Sequence, residues 1–436
     1  MMTIHPSSIS FEVKMKFNYS LLTLAVISTF PLGIQAATPQ NILWNTSDVP
    51  QSVISSAFSA TDISGDFRNL QIMDGASGSI KDLSVTLKAE GALNPGGDKQ
   101  LMGVAVFGGD IEFGGDTLKI DVSTDFYGTG DNQLTGIYLQ PVWKDGGPVL
   151  SIPMPKVVIS AKNVEINAKS TNSNGKSVYG ITSYTGTISI VDSDVSINVE
   201  SNTERTGKQY SEVVGIGVAT LDPNKPIFGT LEVSENSSIT VVAKSNSSMA
   251  TVEASDGKSD RSGGSPVYGM KLDAGQVIVK GSLNLTSTAV GADAYGLRIA
   301  NQFYNTSLGD TRGDASAELN NTVINAYSET GHSYGVDIDY SDKAEDEDHS
   351  VLLRSNGLMD VTASTKSGTA HAISLKGGAT AEFLGDLTAT ATATNGGKAY
   401  SVYLSEGSLA IAGAKTILNG DVLVANAGTM QFGTPA

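Results

Sequence analysis

Lys271, Asp273, Arg298, Asp337 and Asp339 are the residues of this 436-residue chain whose types and spacing come nearest to a reactive set. They fall on three consecutive copies of a short repeated strand, at positions expected to face outward; Tyr138, Thr182, Gly217, Ser374 and Tyr403 hold the same position in other copies. If the copies stack as neighbouring strands, successive groups lie about 4.8 Å apart. Carboxylates projecting from stacked strands are the tools of polysaccharide hydrolysis, which needs two facing carboxyl groups, one with a raised pKa. Sequence spacing sets neither condition. The plainer reading is a solvated charge ladder in which Arg298 offsets Asp337, worth under about 1 kcal/mol at an exposed surface.

Other chemistry is thinner. His332, His349 and His371 lie within or beside repeats, and no Gly-Asp-Ser-Gly nucleophile turn accompanies them, which speaks against a serine protease. There is no cysteine, so thiolate metal sites, disulfides and Cys nucleophiles are excluded. The acidic run Asp342, Glu345, Asp346, Glu347 and Asp348 lacks the alternate-residue spacing and glycine of a calcium loop and reads as a solvated tip. Arg312-Gly313-Asp314 lies in a long Gly/Asp-rich loop, a tripeptide able to engage integrins but frequent enough by chance that its presence is barely informative. The site prediction is therefore no catalytic residue, no metal and no cofactor.

The elements that position these groups repeat. Thr322 to Ser328 alternates apolar and polar residues, a polar turn follows, and Tyr334-Gly335-Val336-Asp337-Ile338 re-enters strand. The second half recurs at Tyr179-Gly180, Val214-Gly215, Tyr268-Gly269, Tyr295-Gly296, His371-Ala372 and Tyr400-Ser401, with weaker copies at Thr135-Gly136 and Met102-Gly103. The eight steps from Gly103 to Ser401 average about 37 residues, a solenoid or propeller period. The first half recurs from Ile166, Ile197, Val241, Leu283, Ile324 and Val361, aligned without gaps. A third strand appears as Gly186–Ile190, Gly229–Val233, Gly275–Val279, Ala379–Phe383 and Gly407–Ile411. Three short strands per repeat, without the hairpin turns of a propeller blade, predict an all-β chain: a right-handed, three-faced parallel β-helix of about ten coils. In extended strands the Tyr179, Tyr268, Tyr295, Tyr334, His371 and Tyr400 rings share a face with Ile181, Met270, Leu297 and Val336, so they are expected in the core, stacked along the axis.

Aromatic content of only 6% suits a narrow solenoid interior. A formal charge of −17 argues against nucleic-acid binding and favours solubility. Met15-Lys16 precedes an apolar run from Tyr19 to Ile34, so residues 1–36 read as a signal-peptide region with the true start at Met15 and cleavage between Ala36 and Ala37. Residues 37–61, carrying Trp44, show no repeat and are expected to cap the first coil; coils occupy 62–436. The longest insertions run over 245–266, 300–315, 340–350 and 201–212.

A cleavable signal followed by Cys-free three-stranded coils, with Tyr-Gly strands and closing turns at Asn419-Gly420-Asp421 and Asn426-Ala427-Gly428, resembles the passenger domain of pertactin-like bacterial autotransporters. The resemblance covers about residues 15–436 and rests on pattern and composition. It implies export through the inner membrane and display at the cell surface, or secretion, by an outer-membrane β-barrel translocator; without one the chain would stay periplasmic. No amphipathic membrane strands follow Phe432, so a C-terminally truncated passenger is expected. The function implied is non-enzymatic: adhesion to host surface or extracellular matrix, cell–cell aggregation by self-association, or biofilm formation. A β-helical polysaccharide-degrading enzyme and a non-functional fragment of a disrupted gene are the alternatives.

Overall fold

The computed structural model describes residues 42–45, 48–59, 66–73, 76–90, 100–125, 132–144, 147–148, 154–171, 176–202, 204–205, 211–222, 227–247, 263–305, 309–340 and 349–433. No helix occurs among them. The described chain is all-β, and one 32-stranded, mostly parallel sheet contains nearly every strand.

Pairing runs in three columns, one for each strand of the repeat. Ile80, Phe113, Ile159, Ile190, Val233, Val279 and Leu319 are successive register partners in the first. Ile120, Ile166, Ile197, Val241, Leu285, Ile324, Val361 and Ala389 follow one another in the second. The third runs Met102, Thr135, Tyr179, Val214, Tyr268, Tyr295, Tyr334, His371 and Tyr400. Such an arrangement is compatible with a solenoid. Strands of the first two columns alternate inward and outward residues, so stacking copies buries one continuous file of side chains. Ile166, Ile197, Val241, Leu285, Ile324 and Val361 are all fully buried in that shared core. Ile42–Trp44 and Val53–Ser59, inside the stretch expected to cap the first coil, pair into the same ladders.

Two expectations change in detail. The gapless alignment placed Leu283 level with Val241 and Ile324, whereas the register sets Leu285 opposite both and Leu283 opposite Ile239. A slip of two preserves every inward and outward assignment, so the apolar pattern does not oppose it.

The tyrosines, moreover, are not in the main core. Val178 and Ile181 enter it while Tyr179 joins a separate cluster with Val214 and Tyr268, against which Tyr295 packs. Alternation breaks at the intervening glycine, which the pairing register skips in each copy from Gly103 to Gly335. A Cβ on Gly296 would lie 2.1 Å from Ile324 Cγ2 and 2.6 Å from the Gly335 carbonyl oxygen. The glycine file lets the strand bend against the second column, leaving two successive inward positions and putting the preceding ring outside.

Candidate functional site: an outer aromatic and ionic ladder

The bend brings two outward side chains of each third-column strand to one side: the residue before the glycine and the residue two after it. Rungs stack, so equivalent side chains meet. Tyr268 and Tyr295 lie face to face with centroids 4.8 Å apart, Tyr295 and Tyr334 at 4.7 Å, and Tyr334 and His371 at 5.0 Å. Ring faces are consumed by neighbouring rings, and edges and polar tips are what remain. Lys271, Arg298 and Lys376 sit 5.3, 5.6 and 5.2 Å from the ring centroids of Tyr268, Tyr295 and Tyr334. Cations so placed are attracted by the negative ring faces.

Carboxylates thread the cations. Lys271 Nζ donates to Glu212 Oε2 at 2.9 Å and approaches Asp273 Oδ2 at 3.0 Å. Arg298 lies 4.0 Å from Asp337 and 3.7 Å from Asp339, beyond ordinary hydrogen-bond length. Lys376 Nζ donates to Asp337 Oδ1 at 3.3 Å. The predicted ladder residues thus do come together, but not as a solvated row. Asp337 is 2% exposed, and Asp273 is buried. Charges this shielded depend on one another far more than surface pairs do.

Glu212 was not foreseen because it precedes the repeated strand and belongs to an insertion. It spans the rung where Val214 and Gly217 interrupt the ladder: Tyr179 Oη donates to its Oε1 at 2.8 Å, while Lys271 holds the other oxygen. Lys376 was legible in principle, being the register partner of Asp339.

Burial, then the Glu212 charge, pushes the Tyr184 hydroxyl up to about 12 and raises Tyr179 well above its ordinary value. Burial, reinforced by Lys376, pulls His371 down to about 4. These phenols and this imidazole are therefore neutral near pH 7.

Gly309–Arg312, which ends at the first residue of the Arg312-Gly313-Asp314 tripeptide, pairs antiparallel with Gln302–Asn305. Asp314 Oδ1 accepts the Ser350 amide at 2.7 Å and its hydroxyl at 3.0 Å, so this carboxylate fastens one insertion to the next. Insertions 201–212 and 245–266 are likewise joined, through Glu204↔Gly264 and Arg205↔Gly263. Ala36, Ala37 and the acidic run at 342–348 lie outside the described residues. No family profile, curated protein or solved structure matches the chain.

Proposed function

We propose that the chain is a non-enzymatic passenger of the autotransporter kind, exported and displayed by a β-barrel translocator, that acts in adhesion and in aggregation between cells. In this reading the three columns are the faces of a right-handed parallel β-helix of about ten coils, and the helix is a stiff stalk. Its partners are a host surface or matrix and a second copy on another cell.

The observation that carries the reading is the outward side of the second column. From Ser282 to Thr392 it presents Asn284, Thr286 and Thr288, then Val323, Asn325 and Tyr327, then Thr362 and Ser364, then Thr388, Thr390 and Thr392, with Asp360 the one carboxylate and Val323 the one aliphatic side chain among them. Amide and hydroxyl groups repeated at the strand spacing can register against an identical face. On a chain of charge −17, such a nearly neutral face is where a second copy approaches at least electrostatic cost.

Many weak contacts along such a face act together by avidity. Cells displaying the protein should therefore clump, and more strongly as salt shrinks the Debye length to about 10 Å and screens the net charge. Absence of clumping at every salt concentration, with host-cell attachment lost on deleting 300–315 alone, would replace self-association with a discrete receptor site.

A further inference from the structure

Several buried polar atoms without partners lie on the outer ladder, others being Ser170 Oγ, Ser245 Oγ and Ser287 Oγ in the second column. His371 Nδ1, Ser374 Oγ and Arg298 Nε make no hydrogen bond, and Thr182 Oγ1 further along the same column makes none either. Ser374 is fully buried and His371 is 8% exposed. Orphaned groups of this sort are rare in folded proteins and ask for a partner. His371 and Ser374 share one rung and Arg298 lies two rungs away, with the strand of Tyr334 and Asp337 between them: Arg298 is level with Asp337, Asp337 with Ser374, and His371 with Tyr334.

Around these atoms lie side chains that are only partly covered, among them Tyr334, Lys376, Tyr400 and Tyr403. The His371 and Tyr403 rings meet edge to face at 5.0 Å. The strip thus has unmet donors and acceptors at its base and partly exposed phenols and a long cation along its sides.

We propose that this strip, from Tyr295 to Tyr403, binds a linear, uncharged oligosaccharide lying along the stacked rungs. The inference rests on the reading of the chain as a binding module and names the ligand class of its outer ladder.

Charge argues for neutrality. Lys271 already faces Glu212 and Asp273, and Arg298 and Lys376 face Asp337 and Asp339, so an anion finds no spare cation and meets an excess of carboxylate. A hydroxyl both donates and accepts, and so satisfies a guanidinium Nε–H, an imidazole nitrogen and a serine together. The rung repeat, with rings 4.7 to 5.0 Å apart, is close to the advance of one pyranose unit in an extended chain. Because ring faces are covered by one another, the sugar is held by hydrogen bonds to edges and tips, giving modest affinity per unit and a dependence on chain length.

The test is titration of the purified chain with linear hexasaccharides of glucose, galactose, mannose and N-acetylglucosamine, with a galacturonate hexasaccharide as the anionic comparison, read by calorimetry and saturation-transfer NMR. At least one neutral hexasaccharide should bind more tightly than the galacturonate. Arg298→Met and Ser374→Val should each weaken it about threefold to tenfold, the effect of losing one hydrogen bond. Thr230→Ala, on the first column, should leave it unchanged. Ser374→Ala, which removes the hydroxyl without adding bulk, serves if the valine disturbs the fold.

Binding by no neutral hexasaccharide, tighter binding of the galacturonate, or binding indifferent to both Arg298→Met and Ser374→Ala overturns the proposal. Clumping of displaying cells that persists in any of those cases leaves the adhesive reading standing, so the two failures are distinguishable.

Discussion

Lys271 and Glu212 form the most shielded ion pair of the outer ladder, 2.9 Å apart with side chains 17% and 6% exposed. They come from different parts of the repeat, one from a regular strand and one from an insertion, and their contact bridges the rung at Val214. Removing the lysine leaves two carboxylates, Glu212 and Asp273, in each other's field without their nearest cation. Lys271→Met should therefore cost about 2–4 kcal/mol in urea unfolding, with Glu212→Gln in the same chain recovering part of it. A loss below about 0.5 kcal/mol would mean that the ladder behaves as an ordinary surface pair after all.

The glycine file makes a second expectation. A Cβ on Gly335 would come within 2.2 Å of Val361 Cγ1 and 2.7 Å of the Ala372 carbonyl oxygen. Gly335→Ala should destabilise the chain by about 3 kcal/mol or more, as overpacking a tight core does. One rung on, the glycine position is taken by Ala372, and there the register partner of Val361 is the smaller Ala389. Adding Val361→Ala should accordingly rescue part of the loss. A thermal-melt double-mutant cycle measures the coupling, and strict additivity would show that the two sites do not touch.

His371 sets a pH dependence. Its folded pKa of about 4 lies below the unfolded value near 6.5, so between those values the unfolded chain binds more protons. Its contribution to stability is complete above about pH 6.5, declines as pH falls toward 4, and is level below that; the full loss is about 3 kcal/mol. His371→Phe keeps a ring in the stack and should flatten stability over that window. An equally steep decline in the variant would assign the effect to carboxylates elsewhere.

Ile324 probes the shared interior. It is fully buried and paired between Leu285 and Val361. Ile324→Ala should cost about 2–4 kcal/mol, and Ile324→Asp should open neighbouring rungs to limited proteolysis while distant ones stay resistant. Uniform protection along the Asp variant's chain would contradict nearest-neighbour stacking.

Legibility followed periodicity. The whole third column, Met102 through Tyr400, stands in register as the Tyr-Gly recurrence aligned it. What period alone left open is a slip by an even number of residues, and Leu283 shows it. The side taken by the tyrosines was misread for a different reason: strict alternation presumes an extended strand, and the glycine bend inserts one extra inward position. Had Gly180, Gly215, Gly269, Gly296 and Gly335 been weighed as a file facing branched residues, the bend would have been readable. Glu212 was beyond reach, because an insertion carries no repeat to align it and its place is set by Tyr179 and Lys271 in space.

The parallel ladders also determine how the chain answers force. Among the described residues each third-column strand from Phe67–Ile72 to Ala399–Ser405 is bonded to the one before it and the one after it, and Asp421–Ala425 is the last in the row, bonded to Ala399–Ser405. Tension on the C-terminus therefore loads one row of hydrogen bonds at a time, as a zipper is loaded, and does not shear many rows together. Extension should proceed by peeling single repeats in order from Phe432 toward Trp44 at nearly constant low force. Repeats released in this way leave the others folded, because each repeat is held chiefly by its neighbours.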